Sequence, residues 1–217
     1  MHKIISLSII SLGLLFNVYA QKDEKAKAVL DDFSKTIQSY SSLKAEFSYN
    51  MFNKSADIDE TQEGSLYLQG DKFHISVSGR EIISDGKTVW VYSKKDNSVN
   101  IMMQEDFNEE EPDLNPKAIF SSYEKGFTYK YIKEDKIDGT PVDVIDLFPT
   151  EEKDYEKIRM EVNKDTKLVM RSTTFPKEKD GSTFTLNVKK IRPNPSDMAS
   201  FSFDPSKYPD IEIVDFR

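Results

Sequence analysis

Residues 65–103 read SLYLQGDKFHISVSGREIISDGKTVWVYSKKDNSVNIMM, and this stretch decides the fold. Leu66 and Leu68 alternate with polar neighbours, Gly70-Asp71 turns the chain, and Phe73, Ile75 and Val77 alternate again. Side chains two apart on an extended backbone share a face, so each run predicts a half-buried strand. Glu81 to Ser84 then meets Asp85-Gly86, a pair that tolerates the positive φ of a tight hairpin. Val89 to Tyr92 returns, Lys95-Asp96-Asn97 turns, and Val99 to Met103 closes the run. Short strands joined by tight turns predict an antiparallel meander.

Working towards the N-terminus, Leu43, Ala45, Phe47, Tyr49 and Met51 alternate as one more strand, followed by a polar loop over Asn53 to Glu60. Before it, Val29, Phe33, Ile37 and Tyr40 recur at helical spacing while Asp31, Asp32, Lys35 and Gln38 take the other face. An amphipathic helix is predicted over Lys22 to Tyr40. His2-Lys3, the apolar run Ile4 to Phe16 and the small residues of Val18-Tyr19-Ala20 have the form of a secretory signal peptide, residues 1–20, cleaved before Gln21. Its apolar run is shorter than the roughly 20 residues that span a bilayer. Residues 21–217 are then one domain.

Towards the C-terminus the rhythm breaks at Gln104 to Pro116, an acidic stretch with two prolines that reads as a loop. Asn115-Pro116 starts a short helix over Lys117 to Tyr123, Pro being suited to the first helical position. Strands resume at Phe127 to Ile132, Val142 to Leu147, Lys157 to Val162, Leu168 to Thr174 and Thr183 to Ile191. Asp138-Gly139, Asn163-Lys164-Asp165 and Asp180-Gly181 are the turns between them. The tail, with Phe201, Phe203 and Tyr208-Pro209, reads as an irregular edge segment. The expectation is about ten or eleven strands in one curved sheet whose apolar face is covered by the two helices.

The chain carries a net charge of −8, and removal of Lys3 with the leader makes it one unit more negative. That balance argues against nucleic acid, whose phosphates require clustered Lys and Arg. Without cysteine there is neither a disulfide, nor a thiol nucleophile, nor a residue to acylate. His74 is the one histidine beyond the leader; it follows Phe73 in an alternating strand and reads as an outward-facing polar residue. A multi-His zinc site and a Ser-His-Asp triad find no support. The acidic run Glu105 to Glu111 lacks the ligand spacing and central glycine of a calcium loop. Lys94-Lys95 and Lys189-Lys190-Arg192 read as solvated turns and strand ends before docking patches. What remains is an alternating apolar surface, which either packs as an ordinary core or encloses a ligand; periodicity alone does not separate the two.

The hairpin Ile82-Ile83-Ser84-Asp85-Gly86-Lys87-Thr88-Val89-Trp90-Val91-Tyr92 resembles the LolA family of outer-membrane lipoprotein carriers. Leu43-Lys44-Ala45-Glu46-Phe47, Gly64-Ser65-Leu66-Tyr67-Leu68, Gly126-Phe127-Thr128-Tyr129, Phe201-Ser202-Phe203-Asp204 and Val214-Asp215 are similar to further pieces of that family, in its order. The resemblance implies a mainly β fold with helices (α+β): a single curved, unclosed antiparallel half-barrel covered by the N-terminal helix and a short inserted lid helix. It implies a periplasmic, monomeric, non-enzymatic carrier that shields lipoprotein acyl chains and moves them from inner to outer membrane. Transport of another lipid, or a lipid- or peptide-sensing regulatory role, is the alternative on the same fold. The implied lipid cavity takes Phe33 and Ile37 from the helix and Phe47, Tyr49, Leu66, Leu68, Phe73, Ile75, Trp90, Ile101 and Met103 from strands, with Ile119, Phe120 and Tyr123 on the lid. No catalytic residue, metal or cofactor is implied. The implied partners are acylated lipoprotein cargo, an inner-membrane lipoprotein-releasing ABC transporter and an outer-membrane acceptor. One departure concerns the stretch Gln69-Gly70-Asp71-Lys72, where many members carry Arg-Pro and one residue more. The arginine latch of the lid is therefore not carried over.

Overall fold

The computed structural model describes residues 23–110, 126–179 and 181–217. The expected leader and the expected lid helix, with Ile119, Phe120 and Tyr123, lie outside the described residues. Helix α1, Glu24–Gln38, starts at Asp23, whose carboxylate accepts the backbone N–H groups of Lys25 and Ala26. That capping satisfies donors a helix start leaves open. The buried stripe is Ala26, Leu30, Phe33 and Ile37, with Val29 at its margin. The helix stops before Tyr40, so the expected end was one half-turn too late.

Among the described residues, twelve strands form one curved, unclosed sheet. The first meander is β1 (Leu43–Asn53), β2 (Ile58–Gln69), β3 (Lys72–Val77), β4 (Arg80–Ser84), β5 (Thr88–Ser93) and β6 (Ser98–Met103). Helix α2 (Gln104–Glu110) follows it directly. The second meander is β7 (Phe127–Ile137), β8 (Thr140–Pro149), β9 (Tyr155–Asn163), β10 (Val169–Pro176) and β11 (Thr183–Pro193). It starts at the far edge and returns until β11 pairs antiparallel with β1, making the order β12-β6-β5-β4-β3-β2-β1-β11-β10-β9-β8-β7. The tail, after a 3-10 turn at Pro205–Lys207, ends as β12 (Glu212–Asp215), which pairs parallel with β6. The half-barrel is thus antiparallel except at this last edge.

Two expected loops are ordered structure. The polar stretch Asn53 to Glu60 contains only a four-residue turn, because β1 and β2 stay paired to Asn53↔Ile58. Asn50 Nδ2 donates to Asp59 Oδ1 and Thr61 Oγ1 across that ribbon, so polar side chains hold an extension the apolar pattern does not reveal. Gln104 to Glu110 is helical, with Phe107 its one apolar residue and buried.

Both edges are blunted against pairing with another chain. On β7 the Tyr131 N–H donates to Asp23 Oδ2 at 3.0 Å, Ile132 bulges, and Lys130, Lys133 and Lys136 are exposed. The β12 edge is only four residues long.

Candidate functional site

Directly opposed residues of paired strands point to the same face, and register defines two faces across the sheet. The inner face, on which α1 packs, carries Ile145, Leu147, Met160, Tyr129, Leu43 and Ala45 against Ala26, Leu30, Phe33 and Ile37. Phe33, 2% exposed, is at the centre of that contact. Inside it the Tyr131 hydroxyl donates to Asp143 Oδ1 at 2.7 Å. Burial, and then the Asp143 carboxylate that accepts its proton, push the Tyr131 hydroxyl well above its ordinary range. Asp23, which ties α1 to the β7 edge, is held below the usual carboxylate range by the N–H of Tyr131 and those of Ala26 and Lys25, against a smaller opposing effect of burial.

Further along the inner face, Leu66↔Ile75, Leu68↔Phe73, Ile75↔Ile82 and Ile82↔Val91 align in register. Phe107 of α2 lies on this second cluster, its ring 6.0 Å from that of Phe73. The start of α2 is held by the Gln104 N–H on Lys87 O and by a hydrogen bond from Ser84 Oγ to Gln104 Oε1. Phe73 is therefore enclosed, and a cavity of about 390 Å³ opens beside it at the rim, lined by Leu68, Phe73, Met103, Asp71, Lys87 and Glu105 among others.

Between the two helices lies a third stretch of the inner face. Tyr49 stacks on Phe184 at 5.8 Å, and Phe47, Met51 and Leu186 share the face by register. Ser172 and Thr174 of β10 continue it opposite Leu186 and Phe184. These side chains belong to neither inner-face core cluster, and Tyr49 is 36% exposed. Gly64 stands opposite Phe47, and the phenyl ring fills the space a side chain there would take: a Cβ on Gly64 would lie 2.5 Å from Phe47 Cε2.

Of the residues expected to form one apolar cavity, Phe33, Ile37, Phe47, Tyr49, Leu66, Leu68, Phe73 and Ile75 share the inner side, and Met103 lies at the rim. Trp90 and Ile101 do not share it. The pairs His74↔Ile83, Ile83↔Trp90 and Trp90↔Ile101 put them on the outer face. There they pack with Ile83, Tyr92 and Val99 under Phe203, Tyr208 and Ile211 of the tail. The physical reason is that both parities of β5 are apolar: Val89 and Val91 take the inner face, Trp90 and Tyr92 the outer. Alternation marks no side when neither parity is polar. Phe107, Phe184, Leu186, Ile82, Val89 and Val91 were missed; Phe184 and Leu186 alternate with Thr185 and Asn187, a signal that could have found them.

The outer face of the other wing carries charged side chains beside two buried valines, Val142 and Val144. Asp146, buried on β8, accepts hydrogen bonds from Arg159 Nε at 2.7 Å and Lys157 Nζ at 2.8 Å. Burial acts to raise its carboxyl, and the two cations outweigh that and hold it below the usual range. The basic residues Lys189 and Arg192 are paired with Glu63 and Asp197, so they are not a free cationic patch. Among the described residues no group of three or more His, Asp or Glu is placed to hold a metal ion, and no helix is long and apolar enough to cross a membrane.

Residues 38–204, spanning all of β1 to β11, match the family described as "Outer membrane lipoprotein carrier protein LolA". The chain belongs to that family. An outer-membrane lipoprotein carrier protein of Idiomarina loihiensis is 29% identical over 105 residues, which are 46% of this chain. The chain spans about half the length of that curated relative, 51%. Two solved structures share the fold of this LolA-family chain. One is an uncharacterized conserved protein of Thermus thermophilus, with a TM-score of 0.60 at 14% identity, covering 88% of this chain and 99% of its own. The other is the Mycobacterium tuberculosis lipoprotein LppX, with a TM-score of 0.51 at 10% identity, covering 82% and 100%.

Proposed function

We propose that this protein is a periplasmic carrier that shields the acyl chains of lipoproteins against the inner face of its sheet and moves them from the inner to the outer membrane. The observation that carries this reading is the inner-face stretch between α1 and α2, where Phe47, Tyr49, Met51, Phe184 and Leu186 lie side by side outside both core clusters. A contiguous apolar surface of this kind marks a binding site more often than a defect of packing. Membership of the carrier family and the name of the Idiomarina relative support the choice of cargo.

Burying a CH₂ is worth about 0.8 kcal/mol, so a carrier that enclosed several long chains completely would release none of them. An inner face already half occupied by Phe107 and α1 moderates the gain, because an entering chain displaces apolar contacts the protein makes with itself. Transfer then follows differential affinity, from an inner-membrane lipoprotein-releasing ABC transporter to this carrier and on to an outer-membrane acceptor. The reading is of a monomeric binding protein without catalytic residues or cofactor, exported by a leader cleaved before Gln21.

Native mass spectrometry of the mature protein, purified from its own periplasm, tests this. Co-purified acylated polypeptide is the expected result. Free lipid alone would move the reading to another lipid carrier. An empty protein that also fails to draw lipoprotein from membranes would overturn the carrier reading in favour of a sensor.

A further inference from the structure

Strand register lays out two rows across the inner face. The first runs through Gln62, Tyr49, Leu186, Ser172 and Met160, and the second through Glu60, Met51, Phe184, Thr174 and Ile158. Leu186 and Met160 flank Ser172, and Phe184 and Ile158 flank Thr174, so each hydroxyl stands alone between apolar neighbours. Met160 and Ile158 belong to the cluster under α1. On the other side of the two hydroxyls, β11 and β1 form an apolar trough two strands, or about 10 Å, wide. Gln62 and Glu60 of β2 are its far border.

The two faces of β10 differ in how their polar groups are satisfied. On the outer face Arg171 Nε donates to Asn187 Oδ1 at 3.0 Å, and the Thr173 and Thr185 hydroxyls lie 3.5 Å apart. On the inner face the half-buried Ser172 and Thr174 hydroxyls have no hydrogen-bond partner among the described residues, and neither is sealed from solvent. A bare alkyl chain laid over them would strip their water and return no hydrogen bond, which is costly. The occupant this face favours therefore brings polar groups along with its chains. Neither row contains a basic side chain, and Glu60 at the far border is the one charge in them. A phosphate headgroup finds no counter-charge here, whereas a neutral carbonyl oxygen accepts from a hydroxyl without one.

We propose that Ser172 and Thr174 read the ester linkages of the cargo. Each hydroxyl donates to one ester carbonyl of a neutral diacylglyceryl group, whose two chains lie in the trough over Leu186, Phe184, Tyr49 and Met51. Residues two apart on one strand face are about 6.5 Å apart, so the two hydroxyls serve two carbonyls and not one. Burial of the chains is non-directional and does not sense how they are attached. A site built to hydrogen-bond a polar group does sense it, because the analogue lacking that group leaves the site unpaired. The inference rests on the carrier reading and adds to it a preference for acyl esters over alkyl ethers of equal length.

The test is a competition read by native mass spectrometry. The mature chain is offered equimolar amounts of two short lipopeptides that differ only in linkage. One carries two palmitoyl chains through glyceryl esters, the other two hexadecyl chains through glyceryl ethers. Two neutral hydrogen bonds are expected to favour the ester form on the order of tenfold. Ser172→Ala combined with Thr174→Val is expected to bring the two bound forms within about twofold of each other while loading persists. Thr174→Ser keeps the hydroxyl and is expected to keep the preference. Equal loading of both forms by the unaltered chain would overturn the proposal and leave the carrier reading standing, as would an ester preference undiminished in the double variant. Loading of neither form would overturn the carrier reading and this inference with it. If the double variant does not fold, the same ratio measured in Thr174→Val against Thr174→Ser decides.

Discussion

The β7–β10 wing buries its apolar cluster on the inner face and meets solvent on the other with ion pairs beside the buried Val142 and Val144, whereas the β3–β6 wing has an apolar cluster on each face. One wing is closed by a fifteen-residue helix capped and tied to the sheet edge through Asp23. The other is closed by a seven-residue helix on the inside and an irregular tail on the outside. The difference teaches that one continuous sheet holds two kinds of cover. Phe33 of α1 and Phe107 of α2 are equally buried, at 2% and 1%, so the same truncation at each measures the covers themselves. Phe33→Ala is expected to lower global stability by about 4 kcal/mol, a large cavity in a fixed core. Phe107→Ala is expected to cost on the order of 1 kcal/mol, because a helix too short to stand alone undocks locally and caps the loss. Urea unfolding followed by Trp90 emission measures both. Equal losses would break the comparison and make α2 part of the global folding unit.

The two wings were also unequally legible. Helix α1 could be read because one face is apolar and the other polar, and β9 because one parity is apolar and the other charged, as in Lys157, Ile158, Arg159, Met160, Glu161 and Val162. In β5 the run Val89-Trp90-Val91-Tyr92 announces a strand but not its inner side, and Trp90, expected with the inner-face residues, packs on the outer face instead. Burial of both parities depends on a tail more than 100 residues away in sequence, as the Asn97 contact with the Pro209 carbonyl illustrates. No local pattern encodes such a contact. Helix α2 was hidden for another reason: its single apolar residue, Phe107, has no partner at helical spacing among acidic neighbours.

The junction between the wings sharpens the comparison next. Gly64 gives its side-chain space to the Phe47 ring, and an added Cβ would also lie 2.9 Å from the Ser76 carbonyl oxygen on β3. Gly64→Ala is expected to cost about 1–3 kcal/mol through overpacking. Adding Phe47→Leu should recover part of that loss in thermal unfolding. If the double variant is no more stable than Gly64→Ala, the ring is not what the methyl group displaces.

A smaller effect separates the outer faces by pH. The Asp146 carboxyl is depressed in the folded state, so its contribution is fully present above the unfolded value of about 4 and fades as pH falls through its folded value. Arg159 and Lys157 are partly exposed, which screens the pairing and keeps the expected contribution near 1 kcal/mol. Asp146→Asn should lower the thermal midpoint at pH 7 and flatten its decline between pH 5 and pH 3. An unchanged acid slope would place the acid sensitivity elsewhere.

The last contrast leaves stability untouched and rests on the carrier reading. Trp90, the only tryptophan, lies on the outer face, while Tyr49 lies on the inner stretch between the helices. Bromine quenches indole emission only at contact range, so a brominated acyl chain reports the face it occupies. The unaltered protein should keep its emission when loaded with brominated stearate, since the sheet stands between chain and indole. Trp90→Phe combined with Tyr49→Trp moves the only indole to the inner face, and the same chain should then quench it. Quenching in the unaltered protein with none in the double variant would reverse the assignment of faces to cargo. The apolar outer cluster would then be the binding surface, and the inner stretch between α1 and α2 an ordinary core margin.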